Sequence, residues 1–180
     1  MLFRSKRRHY YSNGGKSSAI APNRLNREFT VSLPNRVWAG DITFVWTQQG
    51  WLYFAVVIDL FSRRVVGWAF SACADTSLVT RALNVALGSR RPPDGLLFHS
   101  DQGSQYSSLS FQAKLHKEGI TPSMSRAGNC WDNAVVERFF CALKGERIRD
   151  QAYRNHAEAK ADITDYALFF YNQRRLHSAT

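Results

Sequence analysis

Apolar and polar residues change their period several times along this chain, and each change marks an element. Between 37 and 47 the apolar residues Val37, Trp38, Ile42, Phe44, Val45 and Trp46 predominate, and the Leu33-Pro34-Asn35 punctuation before them predicts the start of a first strand. Gln48-Gln49-Gly50 reads as a turn. Residues 51–60 are almost wholly apolar, the signature of a strand buried on both faces, and 64–70, rich in Val and aromatic residues, reads as a third strand. Three sequential strands joined by short turns predict an antiparallel meander.

The period then becomes helical. Asp75-Thr76-Ser77 offers an N-cap, and Leu78, Val79, Ala82, Leu83 and Ala86 recur at helical spacing up to Gly88. The breaker cluster Arg91-Pro92-Pro93-Asp94-Gly95 precedes a short strand at 96–99 and a helix at 107–118 closed by Gly119. An edge strand follows at 120–125, where Pro122 is tolerated, then a polar, glycine-containing loop at 126–129. Two long helices, 131–149 and 156–175, complete the chain. This order predicts an α/β fold: a mixed five-stranded sheet with helices on both faces.

Composition places these elements in one domain, since 180 residues with 44% apolar content are enough to bury a core. Charge divides the chain unevenly. Residues 1–36 hold eight Lys/Arg against Glu28 alone, a net +7 of the total +10. The expected organisation is a basic flexible arm or linker remnant at 1–21 and a folded core at 22–180. The arm mixes Arg4, Lys6, Arg7, Arg8 and Lys16 with Ser, Asn and Gly, too polar to fold alone. Charge alone does not separate a polyanion-binding tail from a solvated terminus, but Phe3, Tyr10 and Tyr11 among the cations tilt toward nucleic acid.

Cys73, Cys130 and Cys141 show neither C-x-x-C spacing nor a preceding secretory segment, which predicts a reduced, cytoplasmic protein. The five histidines lack ligand spacing, so a structural zinc site is not expected. No apolar run is long enough to span a bilayer.

Three acids stand out against this frame. Asp41 interrupts an apolar strand, where a lone charge is costly unless something binds it. Asp101 ends the run Leu96-Leu97-Phe98 and enters a turn at Gln102-Gly103-Ser104. Glu137 can be placed by helix geometry: at about 100° per residue, Val136, Phe139, Phe140 and Leu143 form a buried stripe, and Asn133, Glu137 and Lys144 lie roughly 60 to 100° around from Val136. They share an edge bordering the core, a position that anchors a metal ligand while leaving it open to substrate. An isolated Glu/Lys pair on such an edge is more often plain helix surface. With Asp41 and Asp101 brought together on neighbouring strands, however, the trio suits divalent metal and phosphodiester chemistry. Asp59 is the strongest rival acid, with a turn cap beside Ser62 and Arg63 its expected role, while Asp132 and Asp75 are expected to cap their helices.

The blocks Trp38-Ala39-Gly40-Asp41-Ile42-Thr43, His99-Ser100-Asp101-Gln102-Gly103-Ser104-Gln105-Tyr106 and Gly128-Asn129-Cys130-Trp131-Asp132-Asn133-Ala134-Val135-Val136-Glu137 resemble the catalytic core of bacterial insertion-sequence transposases of the insertion-sequence-three type, itself similar to retroviral integrase. Thirty-five residues separate Asp101 from Glu137, the family's spacing, and Lys144 stands at its customary basic position. The resemblance implies a ribonuclease-H-like fold and two magnesium or manganese ions held by the catalytic residues Asp41, Asp101 and Glu137. It also implies nicking of element ends by water, then attack of the freed 3′ hydroxyl on target DNA, by a homo-oligomer on that DNA. Lys144, Gln105, Tyr106, Asn133, Arg174 and Arg175 become candidate DNA contacts, the last two in a Tyr171-to-His177 block expected to face DNA.

Two departures from the family pattern matter. Gly40 stands where members carry Thr or Ala-Thr, which is expected to loosen the strand. The chain also lacks the upstream helix-turn-helix region and the downstream continuation of relatives, so a core fragment is expected. Alternatives remain a hydrolysis-only metal nuclease, and an inactive remnant that binds DNA or inhibits an intact transposase.

Overall fold

In the computed structural model the described residues are 18–173, the side chain of Cys130 excepted. The basic residues up to Lys16, and Arg174, Arg175 and His177, lie outside them.

The apolar run at the centre of the meander is its central strand. The first strand, β1 (Val37–Thr47), pairs antiparallel with β2 (Gly50–Asp59), which pairs antiparallel with β3 (Val65–Ser71). Helix α1 (Thr76–Arg90) crosses over to β4 (Leu97–Ser100), which lies parallel to β1 with Val37 opposite Leu97 and Ala39 opposite His99. Helices α2 (Ser104–Ser107) and α3 (Leu109–Lys117) lead to β5 (Thr121–Met124), parallel to β4 at the sheet edge. The order is β3-β2-β1-β4-β5. Pro122, with no N–H to donate, sits at that edge as expected.

Each sheet face carries its own core. Val45, Val56 and Ile58 pack against Val136, Phe139 and Leu143 of α4 (Ala134–Leu143) and Ile163 of α5 (His156–Asp165). Trp38, Ala55 and Val57 face Leu78, Ala82 and Leu83 of α1 and Phe111 and Leu115 of α3. Side chains of this size stabilise by about 1.5–3 kcal/mol each when buried. Gly67 lets α1 lie directly on β3, because a Cβ there would stand 2.7 Å from the Cβ of Ala86. All four residues of the predicted α4 stripe are buried, and among the described residues no helix is long and apolar enough to cross a membrane.

The differences from expectation have local causes. Asp75 caps α1 through the amide of Leu78, but α1 runs past Gly88 to Arg90 and is closed by Arg91 in the left-handed region, φ 46°. The helix expected at 107–118 is α3, started where the Ser108 hydroxyl accepts from the Phe111 amide, and the short α2 precedes it where a turn was expected. The last two helices widen into π turns at Lys144–Ile148 and Tyr166–Tyr171. The described start of the block expected to face DNA turns inward instead. Tyr171 is buried against Phe139, and the Asn172 side-chain amide bonds both N–H and C=O of Val65, completing the edge of β3.

The segment before β1 is attached to the core from Ser18, ahead of the boundary that composition suggests. Ala19 donates to the Ser107 carbonyl, Leu25 is buried, and the Ser123 hydroxyl accepts from the amides of Arg24 and Leu25. With its lone pairs engaged, that hydroxyl has its proton for Nδ1 of His99, so Nε2–H of His99 donates to Ser125. Burial holds the imidazole neutral, lowering its pKa to about 4.

Candidate active site

β1 and β4 run parallel, but their pairing stops at Ala39 and His99. Beyond that point the strands' carboxyl ends part, and a crevice at such a place is where open α/β sheets bind ligands. Asp41 stands on β1 two residues past the last pair and Asp101 immediately after β4. Glu137, on α4, completes the wall. The three carboxylates line one cavity of about 550 Å³ with Asn133 and the loop residues Arg126 to Asn129. The expectation that the sheet brings Asp41 beside Asp101, with the helix laid across, describes this arrangement.

Its electrostatics are unfavourable in the absence of a cation. The Asp41 pKa is pushed up to about 7, first by burial and then by the charge of Asp101, against which the Ile42 amide bonded to its carboxylate at 2.7 Å gives partial relief. Glu137 adds repulsion and Lys144 a smaller attraction. Burial also raises Asp101, although its oxygen accepts from the Gly103 amide at 2.9 Å, and Glu137. A buried acceptor in the same wall, Oδ1 of Asn133, lacks a partner among the described residues. Its Nδ2 donates to the Gly40 carbonyl at 3.4 Å. An all-oxygen set with surplus negative charge and an orphaned acceptor fits a hard divalent cation such as magnesium or manganese. As the side chains stand, no three acidic, His or Cys groups among the described residues are close enough to enclose an ion.

The other expected site residues have definite places. Lys144 is exposed, with its Nζ 5.3 Å from the centre of the Phe44 ring. Phe44 lines a second cavity of about 290 Å³ that shares Asp41 and Asp101 with the first. Gln105 and Tyr106 border this second cavity but are buried: Gln105 donates to the Ala74 carbonyl, and Tyr106 packs on Phe98 and Phe111. The Gln105 amide and the Tyr106 ring are thus engaged inward, beneath the two aspartates. Asn133, also buried, joins α4 to β1.

Gly40 does not loosen its strand; it pairs with Val57 in an unbroken ladder. A Cβ at Gly40 would come within 2.6 Å of Phe98 Cζ, so the bare residue lets the Phe98 and Tyr106 rings close against β1 below Asp41. Asp59 accepts from Ser62 and from the Asn35 amide, the turn-capping role expected of it. Asp132 is not a helix cap. Its fully buried carboxylate accepts from Asn23, Arg27 and Arg126, and the Arg126 side chain holds its pKa well below the ordinary range. Sequence reasoning missed Arg27 and Arg126. Neither sits in a periodic element, and Arg27 lies more than a hundred residues from Asp132 in sequence, so no local pattern pointed to the pair.

Two profiles described as Integrase core domain match the chain, over residues 32–130 and 118–180. The chain is 43% identical over 175 residues to the transposase for insertion sequence element IS904 of Lactococcus lactis, covering 97% of this chain and 68% of that protein. It is 43% identical over 159 residues to transposase InsF for insertion sequence IS3A of Escherichia coli K12, covering 88% and 55%. An uncharacterized 31 kDa protein of insertion element IS600 from Shigella sonnei is 41% identical over 93% of this chain and 61% of its own length. The chain therefore spans between 55% and 68% of these relatives. Among solved structures, the HTLV-2 integrase catalytic core domain in complex with magnesium superposes with TM-score 0.63 at 22% identity, covering 82% of this chain and 93% of that one. A chain of the simian T-cell lymphotropic virus intasome gives 0.66 at 19% identity, covering 92% and 56%.

Proposed function

The chain belongs to the integrase core family of insertion-sequence transposases and has its ribonuclease-H-like fold, and from that premise we propose that it is a catalytic core for metal-dependent DNA cleavage and strand transfer. The observation that carries this reading is the cavity at the parting of β1 and β4, which Asp41, Asp101 and Glu137 all line and where the Asp41 pKa stands near 7.

Asp41, Asp101 and Glu137 would together hold two ions, Asp41 and Asp101 facing both cavities and Glu137 the larger. Magnesium or manganese supplies activation of the attacking oxygen and neutralisation of charge on the leaving oxygen. The residues themselves give position. Gly103 and Ile42 amides orient the aspartates, Asn133 fixes α4 on β1, and Lys144 offers an ammonium to a phosphate oxygen at the mouth. In strand transfer a 3′ hydroxyl oxygen attacks phosphorus and loses its proton, one phosphodiester bond forms, and another P–O bond breaks to leave a new 3′ hydroxyl. Element ends and target DNA as substrates, and a homo-oligomer as the working form, belong to the same proposal. The relatives' names and the dimeric HTLV-2 core support it.

The test supplies labelled DNA with a free 3′ hydroxyl and magnesium or manganese. Products longer than either strand are expected, abolished by Asp41→Asn, Asp101→Asn or Glu137→Gln with DNA affinity retained. Shortened strands alone would reduce the function to hydrolysis; DNA binding without any cleavage would leave a binding remnant.

A further inference from the structure

The carboxylate of Asp132 is fully shielded from solvent and takes five hydrogen bonds from three residues on two segments. Arg126 grips it with Nε and Nη2, both at 2.9 Å, and with its backbone amide at 3.0 Å. Arg27 adds Nε at 2.8 Å, and its Nη2 donates to Asn129 at 2.9 Å. Asn23 completes the set at 3.0 Å. To bring Arg27 there the backbone places two consecutive non-glycine residues, Asn26 and Arg27, in the left-handed region at φ 47° and 63°. Such strain is held only where surrounding contacts over-determine it, and it gathers at functional sites.

One arginine would neutralise one buried aspartate. Two leave a surplus positive charge, and both arginine side chains remain about half exposed. Each uses two of its five N–H groups in these bonds, leaving the outer edge of a planar fork with its orientation fixed. Arg126 lines the cavity of Asp41, Asp101 and Glu137. Trp131, the residue before Asp132, is 69% exposed. An indole this open, at the foot of the helix that carries Glu137, contributes little to the fold and presents a flat ring to solvent.

We propose that Arg126, Arg27 and Trp131 form a subsite for one unstacked nucleotide of the DNA strand entering the cavity, the guanidinium pair holding its phosphate and the indole stacking on its base. This rests on the strand-cleaving reading above and adds to it that the DNA end opens at the site, because an indole can stack only on a base released from its pair. Asp132 is then a positioning residue: it locks both forks before DNA arrives, so little side-chain entropy is lost on binding. A fixed phosphate site with an open ring one residue along the chain from its anchoring carboxylate matches a nucleotide better than an acidic peptide, which would use the charges and leave the ring unused.

The test is binding of a single-stranded oligonucleotide without divalent metal, across a salt series, to wild type, Trp131→Ala, Trp131→Phe and Arg126→Lys. Trp131→Ala, at an exposed site that tolerates truncation, should weaken binding about tenfold, with Phe restoring most of it. Arg126→Lys, which keeps the charge and loses the fork, should weaken wild type and Trp131→Ala alike. In wild type, one abasic position near the reacting end should reproduce the Trp131→Ala loss, and that position should cost Trp131→Ala nothing further. Equal affinity of Trp131→Ala and wild type, or abasic losses identical in both, would overturn the subsite. So would an acidic peptide that displaces the oligonucleotide from both proteins equally well. Wild-type cleavage measured in parallel separates the two readings: cleavage with an indifferent Trp131 removes only the subsite, whereas tight Trp131-dependent binding without cleavage removes only the catalytic role.

Discussion

The side-chain amide of Asn133 donates to the carbonyl oxygen of Gly40 at 3.4 Å, tying the start of the helix that carries Glu137 to the residue immediately before Asp41. The two acids are a long way apart in sequence, and this bond crosses between their elements at the cavity wall. The other half of the same amide, Oδ1, is buried in that wall with no partner among the described residues. One end of Asn133 thus sets the frame, and the other offers an acceptor where a hydrated cation would present donors.

Asn133→Leu keeps the volume and removes both ends. Supporting residues of this kind typically contribute about 10- to 100-fold to metal affinity or activity, so manganese binding and cleavage rate should both fall by about tenfold or more. Calorimetric titration with manganese checks the first. Unchanged metal affinity would assign Asn133 to the fold alone.

Asp41→Asn should stabilise the protein measured without divalent cations. The folded state raises this carboxyl from 3.8 to about 7, so between those values the folded protein keeps a proton that the unfolded chain has released. Stability is therefore lost as pH rises through that window. The isosteric amide never ionises and escapes the loss. Urea midpoints should differ little near pH 4, then separate up to about pH 7 and level off with the variant ahead by about 1–3 kcal/mol. A gap independent of pH would show that repulsion at Asp41 is not the cause.

The sheet was legible because burial on both faces writes a continuous apolar run, as at Trp51 to Ile58, and because a buried helix stripe fixes its neighbours, which placed Glu137 on an edge. What escaped depends on partners distant in sequence. Asp132 looks like a cap because capping rules are local, whereas its partners Asn23 and Arg27 lie more than a hundred residues away. Gln105 and Tyr106 follow Asp101 in a polar motif, and nothing in that motif says that their side chains turn inward. The π turns at Lys144 and Tyr166 leave almost the same apolar spacing as α-helix, so periodicity passes over them.

Gly40→Ala tests the close approach beneath Asp41. The added methyl meets the buried Phe98 ring at 2.6 Å, and overpacking of this kind costs about 1–3 kcal/mol. Phe98→Leu removes the offending atoms, so the double variant should be less destabilised than the sum of the single changes, as read from denaturation midpoints. Simple additivity would mean that the clash is relieved elsewhere.

Cation binding should itself depend on pH, with a sign set by Asp41. A carboxylate must be deprotonated to ligate, and this one is protonated in a substantial part of the molecules near pH 7 because burial and Asp101 oppose its charge. Affinity for manganese should therefore rise from pH 6 to pH 8 by about tenfold and flatten above, each binding event releasing a proton on the acid side. Heats measured in buffers of different ionisation enthalpy would count that proton. Asp41→Asn should bind weakly at every pH and release none there; a wild-type affinity flat from pH 6 to pH 8 would mean that the cation is held without Asp41.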